Sequence, residues 1–296
     1  MPPVSHEAPR GRRDPSTSTL GTSVNAIADR ETSPWADATY LKDYLRDDQY
    51  RSDANLRARQ AIYSFQEPRI NLPGAVIDLA NPADDDVVMD IGCGNGAYLA
   101  EIARRGHRGP VIGIDLSTGM LETARQAAPA AHVVAGDASS LPLRKGTARL
   151  VLAAHMLYHV ADPMTAISEC RRALAGDGRL VVVLNDEDHL HELREAVNEA
   201  RRQSGVADIP FSERLRLDEG EEMLSTVFSS VVRRDFEAKL VLDDLGPAEA
   251  FIRSLVHGVT ITDEQRGDCV RLAVQYLSRE PRPLTIRTHT GCLVCS

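Results

Sequence analysis

A glycine-rich turn between an apolar strand and a helix constrains this 296-residue chain more than any other feature. The segment Val87-Val-Met-Asp-Ile-Gly-Cys-Gly-Asn-Gly-Ala-Tyr98 begins with an apolar run broken only by Asp90, which predicts a buried parallel strand. Every second residue of the following turn is a glycine, from Gly92 to Gly96, so the backbone is free to bend and a ligand can approach it. Helical spacing begins at Ala97. The pattern predicts a nucleotide-binding corner, with bare N–H groups at the N-terminus of the helix.

This corner alone does not distinguish between adenosine-containing ligands, because Gly92-x-Gly94-x-x-Ala97 also fits the loose dinucleotide fingerprint. The next two strands narrow the choice. Val111-Ile-Gly-Ile-Asp115 is a second apolar run, and a carboxylate at its end can accept both hydroxyls of a ribose. His132-Val-Val-Ala-Gly-Asp137 is a third run, whose acid suits the amino group of an adenine. Three successive strands with an aspartate at or near the carboxyl end predict one adenosine-binding edge of a sheet.

Three motifs on these strands resemble those of the class I S-adenosylmethionine-dependent methyltransferases, in their small-molecule branch. Asp90-Ile-Gly-Cys-Gly-Asn-Gly96 is similar to the first motif, Asp115-Leu-Ser-x-x-Met120 to the second, and Gly136-Asp137-Ala138 to the third. The resemblance covers roughly Asp85 to Phe236 and implies S-adenosyl-L-methionine as the cofactor. The cofactor-binding residues that it implies are Tyr50, Asp90, Gly92, Gly94, Asp115, Leu116, Met120, Asp137, Ala138 and Ala154.

The resemblance also implies a separate contact for each motif. The glycine turn would meet the methionine part of the cofactor, Asp115 the ribose, Met120 the adenosine, and Asp137 with the Ala138 amide the adenine edge. Tyr50-Arg51-x-x-x-Asn55-Leu56-x-x-Arg59 is similar to a segment that acts as a lid over the cofactor. The alternative is that Tyr50 only ties the N-terminal helices to the core.

Strands alternate with helices along most of the chain, which predicts an α/β fold with a doubly wound, mostly parallel, Rossmann-like sheet. We expect seven strands, an N-terminal helical cap, and a helical insertion before the last strand. The predicted regions are a disordered tail (1–33), the cap (34–80), the cofactor-binding core (81–241), the insertion (242–282) and a final antiparallel strand (283–296).

Local signals add detail to this outline. Asp162 with Pro163 predicts the start of a helix, and Gly176-Asp-Gly178 predicts its end. The alternation from Ser230 to Val241 predicts a long edge strand.

Composition limits the functional classes. A net charge of −9 argues against a nucleic-acid backbone as the main partner, since binding phosphates needs clustered cations. No apolar run approaches the roughly 18 residues of a membrane span. The five cysteines suggest no disulfide framework, and Cys292-x-x-Cys295 lacks the second pair of ligands that a structural zinc site needs. We therefore expect a cytoplasmic enzyme without a metal, acting on a small molecule; the sequence leaves a homo-oligomer open.

The candidate catalytic residues follow the fourth strand, in His155-Met-Leu-Tyr-His159. Ligands of this fold bind outside the carboxyl ends of the strands, so His155 could accept a proton from a hydroxyl or an amine. The alternative is that it only shapes the pocket. Tyr158 and His159 match a Tyr-His pair that mostly supports the turn in the resembling branch. Asn185 and His189 match a pattern on the acceptor side, although helix capping explains them as well.

The sequence thus predicts a methyltransferase that moves a methyl group from S-adenosylmethionine to a small organic acceptor by in-line displacement. The abundance of alanine and arginine suggests secondary metabolism. Two alternatives stay open: a nicotinamide-dependent oxidoreductase on the same corner, and a non-catalytic protein that binds S-adenosylmethionine.

Overall fold

The central element is an eight-stranded sheet, seen in a computed structural model that describes residues 42–43, 45–206, 215–255 and 262–296. The strands are β1 (Gln66–Glu67), β2 (Val88–Ile91), β3 (Val111–Asp115), β4 (His132–Ala135), β5 (Ala148–Ala154), β6 (Leu174–Asn185), β7 (Val231–Leu242) and β8 (Leu284–Cys295). Their order is β1-β7-β8-β6-β5-β2-β3-β4. Strands β2 to β6 are parallel, whereas β8 is antiparallel to both β6 and β7. The predicted doubly wound α/β fold is confirmed.

The expected count of seven strands is wrong by one. The additional strand is β1, which pairs antiparallel with Leu240 and Lys239 of β7. Two residues are too short for an apolar alternation to be recognised in the sequence. Because β1 pairs with its outer side at Lys239 and Leu240, β7 is not an edge strand near its carboxyl end.

Nine helices of at least eight residues flank the sheet within the described ranges. They are α1 (Ala54–Ala61), α2 (Leu72–Ala80), α3 (Ala97–Arg104), α4 (Thr118–Ala127), α5 (Pro163–Ala173), α6 (His191–Gln203), α7 (Leu217–Ser225), α8 (Gly246–Leu255) and α9 (Asp263–Leu277). A π-helical turn covers Leu45–Gln49, and 3-10 turns cover Ile62–Phe65 and Leu157–His159. Asp162 caps α5 as predicted, because its carboxylate accepts the backbone N–H groups of Met164 and Thr165.

The predicted helix end at Gly176–Gly178 is wrong. Helix α5 ends at Ala173, and β6 begins at once with Leu174, so both glycines lie inside the strand. The register between β5 and β6 shifts here, from the pair Ala148–Leu174 to the pair Leu150–Arg179. A Cβ at Gly178 would lie 2.9 Å from the Ala148 carbonyl oxygen, so glycine permits a close backbone approach at an irregular point of the strand.

The strand order indicates where a ligand-binding site can form. From β2 the chain adds β3 and β4 on one side, and then returns to add β5 on the other side. Such a reversal opens a crevice at the carboxyl ends of the strands, where ligands of open α/β sheets bind. Residues that follow β2, β3, β5 and β6 therefore meet at one edge of the sheet.

An apolar cluster lies at the side of the sheet formed by β7 and β8. Helices α6, α8 and α9 pack there against β7, β8 and the turn Ile62–Phe65, through buried residues such as Leu193, Phe251 and Val270. The segment expected as an insertion thus lies beside residues of the expected cap. The other predicted region boundaries stay predictions, and the predicted tail, 1–33, lies outside the described residues. None of the helices in the described ranges has the length and apolar character needed to cross a membrane.

Candidate cofactor and acceptor site

A cavity of about 670 Å³ lies at the carboxyl ends of the strands. Its size is within the range of small-molecule sites. All but one of the sequence-predicted site residues line it. Those that do are Tyr50, Gly92, Gly94, Asp115, Leu116, Met120, Asp137, Ala138, Ala154, His155, Tyr158 and His159.

The exception, Asp90, is buried within β2 and is only 1% exposed. Its Oδ2 atom has no hydrogen-bond partner among the residues that the structure describes. Burial, and then the charge of Asp115, raise the pKa of Asp90 to about 8. An unpaired carboxylate in the interior is costly, so a cation bound above the strand would be favoured here.

The glycine turn follows β2, and Gly92, Gly94 and Gly96 all have left-handed backbone conformations. At Gly92 (φ +70°) an added Cβ would lie 2.6 Å from the Cβ of Met156. We expected bare N–H groups facing the ligand, but within the turn those of Gly92, Cys93, Gly94 and Gly96 are already used. The Gly92 N–H donates to the Ile114 carbonyl (2.7 Å), and the Gly94 N–H to Oδ2 of Asp115 (2.8 Å). The turn is thereby fixed to β3.

Asp115 lies at the end of β3 with both carboxylate oxygens engaged. Oδ2 accepts the Gly94 N–H, and Oδ1 accepts the Ser117 N–H at 2.9 Å. Burial raises its pKa, and these backbone bonds act in the opposite direction. Each oxygen has a further lone pair, so the carboxylate is oriented and can still accept two hydroxyl groups.

Asp137 follows β4 and receives a partner that the sequence did not indicate. The Nζ atom of Lys42, from the N-terminal segment, lies 2.5 Å from its Oδ2 atom, and the Ser139 N–H donates to Oδ1 at 2.8 Å. Burial alone would raise the pKa of Asp137, but these contacts outweigh it and lower the pKa. Lys42 therefore covers the carboxylate that we assigned to the adenine edge.

Tyr50 is held from three sides. Its carbonyl accepts the Ser117 hydroxyl (2.7 Å), its own hydroxyl lies 3.0 Å from Nε2 of His159, and the Arg59 guanidinium lies 5.2 Å from its ring centre. Tyr158 packs edge-on against His159, with ring centres 4.6 Å apart. Tyr50 thus lines the cavity and ties the N-terminal segment to the core, while its role as a lid over the cofactor stays a prediction.

His155 directly follows β5 and has a left-handed backbone (φ 55°), which is uncommon for a residue other than glycine. Its backbone N–H donates to the Val183 carbonyl (2.9 Å), so the conformation is fixed by β6. Burial lowers the pKa of the imidazole to about 4. The ring makes no hydrogen bond to any described residue. The cavity therefore contains a neutral imidazole that can accept a proton.

Sequence reasoning named His189 on the acceptor side but missed its partner, Tyr63. The hydroxyl of Tyr63 lies 2.9 Å from Nε2 of His189, and both residues line the cavity. Tyr63 belongs to an apolar run with helical spacing, and such a run resembles any other core-facing stripe. The pair becomes apparent only when the turn Ile62–Phe65 is placed beside the loop after β6.

Comparisons with known proteins agree with this geometry. A model of the methyltransferase domain matches residues 89–182. The demethylmenaquinone methyltransferase of Beutenbergia cavernae is 32% identical over 108 residues, which are 36% of this chain and 44% of that protein. The 23S rRNA (guanine(748)-N(1))-methyltransferase of Streptomyces fradiae is 33% identical over 127 residues, 43% of each chain. The chain thus spans less than half the length of these curated relatives.

The fold likeness extends further along the chain. The phosphoethanolamine N-methyltransferase 2 of Haemonchus contortus, solved with phosphomonomethylethanolamine and S-adenosylhomocysteine, superposes with a TM-score of 0.53 at 17% identity. That superposition covers 86% of this chain and 59% of the other. The domain match shows a methyltransferase domain at residues 89–182, and the motifs and the strand order agree with those of the class I S-adenosylmethionine-dependent methyltransferases.

Proposed function

We propose that this chain is an enzyme that transfers a methyl group from S-adenosylmethionine to a small organic acceptor. The observation that carries the proposal is the convergence of Asp90, Asp115 and Asp137 at the carboxyl ends of three neighbouring parallel strands. Two of these aspartates line a single cavity, and the third, Asp90, is buried in β2 with an Oδ2 atom that has no hydrogen-bond partner among the described residues.

The residues present fit this cofactor. Asp115, already oriented by two backbone N–H groups, would accept the ribose hydroxyls. Asp137 and the Ala138 amide would face the adenine edge, with Lys42 beside them. A positively charged methionine end bound above Asp90 would favour the ionised form of that carboxyl, and Met120, Leu116 and Ala154 would supply apolar contacts.

The bound cofactor supplies a methyl group that its sulfonium already activates. The contribution of the protein is to align the acceptor and exclude water, and good alignment is worth roughly 7–11 kcal/mol. Where the acceptor must lose a proton, we assign the role of base to His155, because it lines the cavity and its ring makes no hydrogen bond to the described residues. Such a base contributes typically about 10²–10⁴-fold. Tyr158 and His159 hold the turn that positions it.

The acceptor has to be inferred from this chain, because the names of its relatives specify different ones: a demethylmenaquinone in one case and an rRNA guanine in another. The net charge of −9 and the walled cavity support a small molecule over a nucleic acid. We keep secondary metabolism and a cytoplasmic location as parts of the proposal. All five cysteines are free and buried, which suits a reducing compartment.

Titration calorimetry tests the cofactor. We expect S-adenosylmethionine and S-adenosylhomocysteine to bind, NADH not to bind, and Asp115→Ala to weaken binding at least tenfold, about 1.4 kcal/mol. Asp84→Ala is the matched control, because Asp84 is an exposed acid that pairs with Arg108 away from the cavity. A folded protein that gives no heat with either ligand at hundreds of micromolar would refute the proposal. An unchanged affinity in Asp115→Ala would show that the ribose is held elsewhere.

A further inference from the structure

The hydrogen bonds around His189 fix the position of its single proton. The backbone N–H of His289 donates to Nδ1 of His189 at 3.1 Å, so Nδ1 carries a lone pair. His189 is 6% exposed, and burial lowers its pKa to about 3, so the ring is neutral. A neutral imidazole has one N–H group, and here it is on Nε2. His189 therefore donates to the hydroxyl oxygen of Tyr63.

The hydroxyl proton of Tyr63 is consequently not used in the hydrogen bond to His189. Its oxygen accepts from His189, so its own O–H must point to another acceptor, and no described residue provides one. Burial raises the pKa of Tyr63 above its ordinary value, although the charge of Arg59 acts against this, so the group stays a hydroxyl. Tyr63 is half-buried and lines the cavity, so this O–H group is available to a ligand oxygen there. A ligand that shields the donor from water without accepting its proton would cost about 1–3 kcal/mol, which favours a ligand with an oxygen at this point.

The wall beside this donor is apolar where α8 and β7 form it, whereas charged side chains such as Arg59 and Asp186 line other parts of the cavity. Tyr63 packs in one hydrophobic cluster with Leu190, Phe251 and Leu255, and all three also line the cavity. Phe236, from β7, adds a second aromatic ring to the wall. His155 lines the same cavity as His189, so the proposed base and this donor face a common space. An apolar wall with one oriented donor suits an apolar ring that carries an oxygen.

We propose that Tyr63 and His189 form the anchoring site of the methyl acceptor. Tyr63 donates its hydroxyl proton to an oxygen of a planar, apolar acceptor, and His189 is a positioning residue that fixes the direction of that donor. This inference rests on the proposed function and names the substrate class of the same cavity: cyclic, largely apolar molecules with a carbonyl, phenol or related oxygen.

The test uses para-cresol and para-xylene, which have nearly the same shape and differ by a hydroxyl in place of a methyl group. Their affinities are measured by ligand-observed NMR titration of the full chain, with and without S-adenosylhomocysteine. We expect the wild-type protein to prefer para-cresol. Tyr63→Phe should reduce the preference by about two- to tenfold, the worth of one hydrogen bond, and leave the affinity for para-xylene unchanged.

Two further variants sharpen the result. Tyr276→Phe makes the same chemical change on α9, away from the cavity, and should keep the full preference. His189→Leu should lose the preference although Tyr63 is intact, and a merely structural role would not produce such a selective loss. Folding of each variant is checked by its thermal transition, and the Tyr63→Phe result suffices if His189→Leu does not fold.

Two outcomes would overturn the anchoring site: no binding of para-cresol to the wild-type protein, or an undiminished preference in Tyr63→Phe. The cofactor titration on the same samples separates the two proposals. Binding of S-adenosylhomocysteine without a Tyr63-dependent preference refutes the anchoring site alone. A Tyr63-dependent preference without binding of either cofactor form refutes the proposed methyl transfer, and leaves Tyr63 as a ligand-binding residue.

Discussion

Gly96 ends the glycine turn with a left-handed backbone (φ +81°), and an added Cβ would lie 2.9 Å from the Cα of Ala124 in α4. Gly106 has a similar backbone (φ +74°), but nothing lies within 4 Å of an added Cβ. We expect Gly106→Ala to lose about 1–2 kcal/mol of stability from backbone strain alone. Gly96→Ala should lose roughly 1–3 kcal/mol more, because backbone atoms must move apart. Urea denaturation of both variants measures the difference in their free energies of unfolding. Equal losses of stability would show that α4 can move away from an added Cβ at little cost.

Asp90 makes stability depend on pH in an unusual direction. The carboxyl has a pKa of 3.8 in the unfolded chain and about 8 in the folded protein, so between these values the folded state binds more protons. The free energy of unfolding should therefore fall as the pH rises from about 4 to 8, by on the order of a few kcal/mol. Asp90→Asn should remove most of this slope and stabilise the ligand-free protein at pH 8.

The measurement is chemical denaturation of both proteins across this pH range. Asp115, whose pKa burial also raises, leaves a smaller slope in the variant. Identical slopes in the wild-type protein and the variant would show that Asp90 titrates normally, and would remove the argument that it favours a bound cation.

At the scale of elements, the start of α4 joins the N-terminal segment to the core. The Ser117 hydroxyl accepts the Met120 N–H (3.2 Å) as helix cap and donates to the Tyr50 carbonyl (2.7 Å). Asp162 also caps its helix, α5, and its side chain is hydrogen-bonded to Met164 and Thr165, with no hydrogen bond to the described residues of the N-terminal segment. Each change to alanine should cost about 0.5–2 kcal/mol of stability. Only Ser117→Ala should also weaken binding of S-adenosylhomocysteine, because Tyr50 would lose its place in the cavity wall.

Calorimetry and denaturation on this pair of variants separate the two effects. If both variants bind S-adenosylhomocysteine as tightly as the wild-type protein does, the tie between Tyr50 and Ser117 has no part in the site. If both bind weakly, the loss reflects general destabilisation.

The elements that sequence reasoning located correctly are those with a strong local pattern. Buried parallel strands appear as continuous apolar runs, so β2, β3 and β5 were predictable, as were the aspartates at or near the ends of β2 and β3. The start of α5 was predictable because Asp162 and Pro163 act locally. The direct passage from α5 into β6 was not, because there the pairing with β5 overrides the local preference of two glycines.

Contacts between distant segments could not be predicted in this way. Lys42 reaches Asp137 across 95 positions, and Tyr63 reaches His189 across 126. A lysine in a polar segment and a tyrosine in an apolar stripe each have a commoner explanation, solvation or core packing. Only the strand order, which carries β6, β8 and β7 to one side of β5, brings the second pair into the cavity.

At the scale of the whole molecule, two different parts of the chain form the two walls of the cavity. The strands β2, β3 and β4, within or near the matched residues 89–182, supply the wall assigned to the cofactor. The turn Ile62–Phe65, α8 and the strands β7 and β8 supply the opposite wall, which lies outside the domain match. Relatives that share only the matched part can thus share the cofactor wall and differ in the acceptor wall.

Hydrogen exchange tests this division. S-adenosylhomocysteine should slow exchange in the turn Gly92–Gly96 and in Leu45–Gln49, whereas para-cresol should slow it in Ile62–Phe65 and at the amide of His289, which is bonded to His189. Helix α7 does not line the cavity and should respond to neither ligand. Equal protection of both walls by S-adenosylhomocysteine alone would mean that the cofactor fills the whole cavity, and the acceptor would then have to bind elsewhere.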